Sequence, residues 1–170
     1  MKIFYGLLLF PLLSHAAVDI AFLEMRNYKG EIIRLEPSGV FAHIAISYNG
    51  AWLHSHPHRG VEIISTENLE TMGKVKEIVH LTEFPEITEA QVQTFLNKPY
   101  DPEFSWDGSR IYCAELIGKL LGIPPQSMTF KADYWRGRLQ HLLVGGLGLS
   151  PDDIYKHLKN KRAKFCSTVF

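Results

Sequence analysis

Two stretches of the chain carry side chains that could do chemistry together. The run FAHIAISYNGAWLHSHPH, from Phe41 to His58, holds four of the chain's eight histidines around an Asn-Gly pair. Farther along, PYDPEFSWDGSRIYCAELIGKLLG places Cys113 at the head of a segment with apolar residues at helical spacing. A cysteine at a helix N-terminus faces unpaired backbone N–H groups and the positive end of the helix dipole, which favour thiolate over thiol. A neighbouring imidazole would lower its pKa further, so the expected resting form is the thiolate–imidazolium pair of a cysteine hydrolase. The plain alternative for Cys113 is an inert thiol packed beside Leu116 and Ile117.

Asn49-Gly50 between alternating runs signals a two-residue hairpin, because a type I′ turn needs positive φ at both central positions. The turn fixes the register: Tyr48 faces Ala51, Ala45 faces His54 and His43 faces His56. Side chains alternate along a strand, so His43, Ala45, Ser47, Trp52, His54 and His56 share one face and Ile44, Ile46 and Leu53 the other. The aliphatic face is the expected core, and His43 and His54 form a diagonal pair with Cα atoms roughly 7–8 Å apart. Three readings compete for the imidazoles. His54, His56 and His58 at alternate positions could bind zinc, although Pro57 breaks the strand where the third ligand would be aimed. A solvated sheet face is the bland reading. Catalysis is the third.

These groups must be positioned by regular elements. Runs from Ile20 to Met25, Glu31 to Leu35, Val40 to Tyr48, Ala51 to Ser55, Gly60 to Ser65 and Val75 to Leu81 are rich in β-branched and aromatic residues between Gly, Asn or Pro breaks, and read as strands. The second half turns helical. Thr88 and Gln91 form a capping box, with Ile87 and Val92 as a hydrophobic staple, and Pro99 stops the helix they open. Cys113 to Leu121 is closed by Gly122, and Ser150 followed by Pro151 and Asp153 caps a last helix. Strands first and helices after predict an α+β domain with an antiparallel sheet.

The segment PYDPEFSWDGSRIYCAELIGKLLG resembles the Pro-Tyr and Asp-Cys-Ser-Gly-Leu segment of NlpC-type cell-wall cysteine peptidases. The order of VDIAFLEM, AHIAISYNGAWLHSHPHRGV and YCAEL is more closely similar to the circularly permuted papain-like amidases of the YiiX/YaeF type, in which the histidine strand precedes the cysteine helix, as in the related lecithin retinol acyltransferases. The likeness runs from about Val18 to Ile123, with a weaker echo in LSPDDIYKHL. It implies a permuted papain-like fold, a sheet or half-barrel packed against the cysteine helix. It also implies Cys113 as nucleophile, His43 as general base, and His54 at a third polar position often filled by Glu in YiiX-like proteins. Tyr100 would line the oxyanion region. Trp52, on the histidine face, is a candidate substrate wall. Trp106 and Trp135 read as core or rim, and Glu115 as a carboxylate that stabilises a first helical turn. The implied reaction is cleavage of an amide or acyl bond with no cofactor and no metal. Peptidoglycan peptides and N-acyl or ester-linked lipids are both open as substrates.

Composition narrows the class. At 170 residues, with 46% apolar and 21% charged residues and Lys plus Arg equal to Asp plus Glu, the chain fits one ordinary globular domain and carries no charge bias toward nucleic acid. The start, MKIFYGLLLFPLLSHAAVD, has one Lys, a short apolar stretch and small residues near Ala16. It reads as a secretory leader over residues 1–16, too short for a stable membrane span, ahead of a single hydrolase domain over 17–170. The expected site of action is periplasmic or secreted, on a peptide, amide or acyl-lipid partner of the cell envelope. In an oxidising compartment Cys113 and Cys166 could instead pair, which would make the chain a non-catalytic envelope-binding protein.

Overall fold

The computed structural model describes residues 18–82, 84–128 and 146–167, with side chains up to position 161. The leader, Trp135 and the Cys166 side chain lie outside the described residues. Five strands, β1 (Val18–Glu24), β2 (His43–Tyr48), β3 (Ala51–His56), β4 (Gly60–Ile64) and β5 (Lys74–Leu81), form an antiparallel sheet in the order β4-β3-β2-β1-β5. Helices α1 (Thr66–Met72), α2 (Glu89–Phe95), α3 (Cys113–Leu121) and α4 (Pro151–Ser167) complete the α+β architecture among the described residues, with a short pair β6 (Gln126–Ser127) and β7 (Leu147–Gly148). The sheet does not close into a barrel.

The hairpin forms as its sequence demands. Asn49 and Gly50 take φ of 49° and 75°, and Tyr48 pairs with Ala51, Ser47 with Trp52 and Ile46 with Leu53. Thr88 and Gln91 make both halves of the capping box ahead of α2. Helix α3 starts at Cys113 and ends on Gly122 in the left-handed conformation. The run from Glu31 to Leu35 is not a strand. Asn27 Oδ1 accepts the amides of Lys29 and Glu31, so a side chain takes what a ladder would have used, and only the bridge Arg26↔Ile32 remains.

The sheet is covered on both sides. Ile20, Phe22, Ile44, Ile46, Leu53 and Val61 pack with Leu116, Ile117 and Ile154 in the main core. On the opposite face Ala21, Leu23, Ala45 and Trp52 pack under Leu69 of α1, a short helix capped by Ser65 that periodicity alone did not reveal. The histidine face is therefore dry rather than solvated: His43 is 3% exposed and His54 is fully buried.

Four hydrogen bonds bring the cysteine to this sheet. Beyond α2, the Asn97 amide bonds Val61 O and the Val61 amide bonds Lys98 O, each at 2.9 Å, so the chain runs along the outer edge of β4. The Ile111 amide returns to Pro99 O at 2.9 Å. Ser55 of β3, fully buried, donates its hydroxyl to Ile111 O at 2.5 Å. On the other flank, Asp152 near the start of α4 accepts the amides of Val40 and Phe41, fixing the segment that enters β2.

Candidate active site

The β2–β3 ladder runs from Tyr48↔Ala51 to Ile46↔Leu53; beyond it a side-chain bond joins the strands. His43 Nε2 and His54 Nδ1 lie 2.9 Å apart with their rings edge to face. This is the diagonal pair expected from the register. At the same level α3 begins, and the Cys113 sulfur lies against the backbone amide of Ile44, as well as those of Ala114 and Cys113 itself. The Ile44 amide belongs to the peptide that joins Ile44 to His43, so the thiol stands one peptide unit from the backbone of the candidate base. Cys113 is buried and forms no disulfide among the described residues.

Protonation departs from the sequence expectation. Burial pushes the Cys113 thiol up to about 12, and the three amides pull it back only in part. Burial holds His43 down at about 3, with repulsion from His54 and His56 adding to the effect. His54 is lowered to about 4, again chiefly by burial, with Glu62 opposing. The resting pair at neutral pH is thus thiol and neutral imidazole, not thiolate and imidazolium. A helix dipole contributes roughly 0.3–2 kcal/mol, whereas full burial can move a pKa by about 3–5 units, so desolvation wins.

The structure adds two residues to the site. Glu62 is the cross-strand partner of His54, and its Oε1 lies 3.1 Å from His54 Nε2. Arg59 grips the same carboxylate with Nε 2.8 Å from Oε2 and Nη2 2.7 Å from Oε1. This grip is the largest factor holding the Glu62 pKa below the usual carboxylate value. Register could have found Glu62: continuing the hairpin count through the turn at Pro57–Arg59 places it opposite His54. The carboxylate that seemed to be missing at the third position is one imidazole further out.

The other candidates are placed differently. Trp52 is 9% exposed in the packing under α1, with its indole N–H on Thr66 Oγ1 at 3.0 Å, so it is a core residue rather than an open wall. Tyr100 is half-buried, packs against the main core and meets the ring of Phe104 edge-on at 6.2 Å. Glu115 lies in the first turn of α3. It is fully buried and neither carboxylate oxygen makes a well-formed hydrogen bond, although Lys119 Nζ stands 3.3 Å from Oε1. The zinc reading does not fit. His54 spends both ring nitrogens on His43 and Glu62, and His56 Nδ1 accepts the amides of His58 and Arg59. Among the described residues no group of three or more His, Cys, Asp or Glu converges as metal ligands.

No family model matches the sequence, and no curated protein matches it either. A solved structure does: the crystal structure of the metalloprotein yiiX from Escherichia coli O157:H7 is similar with a TM-score of 0.55 over 81% of this chain and 89% of that chain, at 20% identity. The fold is YiiX-like. At that identity the likeness carries the architecture and its element order; the roles of individual side chains rest on the geometry above. Among the described residues no helix is long and apolar enough to cross a membrane.

Proposed function

We propose that this protein is a cysteine hydrolase of the amidase or peptidase type, with Cys113 as nucleophile, His43 as general base and His54 as the group that orients it. The observation that carries the reading is the joint placement of two things. The Cys113 sulfur lies on the backbone amide of Ile44, the residue that follows His43 in β2, and His43 Nε2 lies 2.9 Å from His54 Nδ1. In the proposed reaction the His43 imidazole, oriented by His54, activates this buried nucleophile. Among the described residues Cys113 forms no disulfide, as the proposed nucleophile requires.

Because the resting pair is neutral, attack and proton transfer are coupled. As the sulfur bonds to the carbonyl carbon, the thiol proton passes to His43 and negative charge gathers on the carbonyl oxygen. The N–H groups at the head of α3 are the donors we assign to that oxygen, with the Tyr100 hydroxyl as a proposed addition. Collapse of the adduct breaks the carbonyl bond to nitrogen or oxygen, and the leaving group takes the proton from His43. Water then attacks the thioester, giving its proton to His43, and the acid product leaves with the thiol restored. The buried site strengthens each of these electrostatic contacts.

The substrate we assign is an amide- or acyl-bearing compound of the cell envelope. Its support is the leader-like start of the chain, which would carry the protein to a periplasmic or extracellular place of action. An activated acyl ester, followed by peptide mass spectrometry, tests the reading. Modification of Cys113, lost in Cys113→Ala, is the expected result. Turnover of the probe undiminished in Cys113→Ala would overturn it.

A further inference from the structure

We infer that the Glu62 carboxylate sets the tautomers of both buried imidazoles and so leaves Nδ1 of His43 unprotonated, the form that the proposed base needs. The inference rests on the hydrolase reading for its final step only; the tautomer chain itself follows from the hydrogen bonds. An ionised carboxylate accepts and never donates, so the contact between Glu62 Oε1 and His54 Nε2 requires the proton on Nε2 of His54. A neutral His54 then has a bare lone pair on Nδ1. That lone pair faces Nε2 of His43 at 2.9 Å, so His43 must donate there, and its own remaining nitrogen, Nδ1, is unprotonated.

Each premise has a structural cause. The rings are neutral because both are buried. Glu62 is ionised because Arg59 clamps it through both oxygens. The remaining ring facing His54 is His56, at 6.1 Å between centroids. It accepts two backbone amides at Nδ1 and so carries its proton on Nε2 when neutral, which leaves the chain undisturbed. Glu62 is 22% exposed, whereas His43 and His54 are buried, so the charge that fixes the base sits at the surface end of the chain and touches no reacting atom. It is a positioning residue. Glu62→Gln would present an amide able to donate, and the whole chain could then run backwards, with a proton on His43 Nδ1 and no lone pair for the thiol.

Imidazole nitrogen NMR on the full-length protein at pH 7.5 reads this directly, with resonances assigned through His43→Gln and His54→Gln. The expected wild-type pattern is Nε2–H on both rings. Glu62→Gln should show Nδ1–H forms appearing on both rings together. Alkylation of Cys113 by iodoacetamide, followed at its own peptide, should slow about tenfold in that variant, the effect of losing one charge-assisted hydrogen bond. A wild-type spectrum with Nδ1–H on either ring overturns the inference whether or not the variant folds. Unchanged tautomers and an unchanged alkylation rate in Glu62→Gln would overturn it too. The expected tautomers together with a Cys113 inert to the acyl probe would uphold the chain and defeat the hydrolase reading instead.

Discussion

Replacing Glu115 by Gln should make the folded state less sensitive to pH, with a sign and size that follow from burial. The Glu115 carboxyl is fully enclosed, and its pKa is pushed from 4.5 to about 7, chiefly by desolvation, with Lys119 and the Tyr112 backbone amide pulling it down. The folded state therefore keeps the proton where the unfolded chain has lost it. Below pH 4.5 both states are protonated and the group has no effect. As pH rises to 7 the unfolded state gains by ionising, and above 7 the full penalty is present. A displacement from 4.5 to about 7, at 1.36 kcal/mol per unit, is a penalty of about 3 kcal/mol. Glu115→Gln removes that pH-dependent part but leaves a buried amide, which costs roughly 1–3 kcal/mol at every pH.

The informative quantity is the difference between variant and wild type as a function of pH, since all other titrating groups are common to both. Urea denaturation at half-unit steps from pH 4.5 to 8 should show the variant gaining on the wild type by about 3 kcal/mol across that range, with most of the change between pH 5 and 7. A flat difference would mean that Glu115 titrates normally and that burial is not the dominant influence on it. A difference of opposite slope would mean that the ion pair with Lys119 outweighs desolvation.

Ser55→Ala removes the hydroxyl that ties β3 to the Ile111 carbonyl just ahead of the cysteine, and should cost about 1–3 kcal/mol in urea denaturation because that buried acceptor loses its partner. Gly60→Ala should cost about 3 kcal/mol or more by the same measurement. The new Cβ would stand 2.1 Å from Lys98 O at a φ of +75°, so the segment paired with Val61 would have to leave the edge of β4. His54→Ala should slow acylation of Cys113 by about a hundredfold without abolishing it, in keeping with loss of an orienting group, and a variant as fast as wild type would show that His54 does not orient the base.

Much of this fold is written in local signals. The Asn49-Gly50 turn, the Thr88 capping box and the Gly122 stop each depend on neighbouring residues alone, and each forms as its chemistry requires. From the hairpin register came the pairing of His43 with His54, since strand alternation and a two-residue turn leave little freedom. Protonation was not legible, because it depends on what covers the histidine face. That cover is α1, a seven-residue helix with Leu69 as its single buried residue, too short to show periodicity. The same cover turned Trp52 from an apparent substrate wall into a packed core residue. Glu62 and Arg59 lie past a turn that Pro57 interrupts, and a proline there weakens the register on which hairpin counting depends, although the pairing of His54 with Glu62 holds.

Everything rests on His43 acting on Cys113. The most direct measurement is the rate at which an activated acyl ester acylates Cys113 across pH 5 to 9, in the wild type and in His43→Ala. With a neutral thiol and an imidazole base, the wild-type rate should hold a plateau through neutral pH. His43→Ala should lose about 10²–10⁴-fold there and recover only as alkaline solvent ionises the buried thiol. Equal rates for the two proteins at pH 7 would contradict the account.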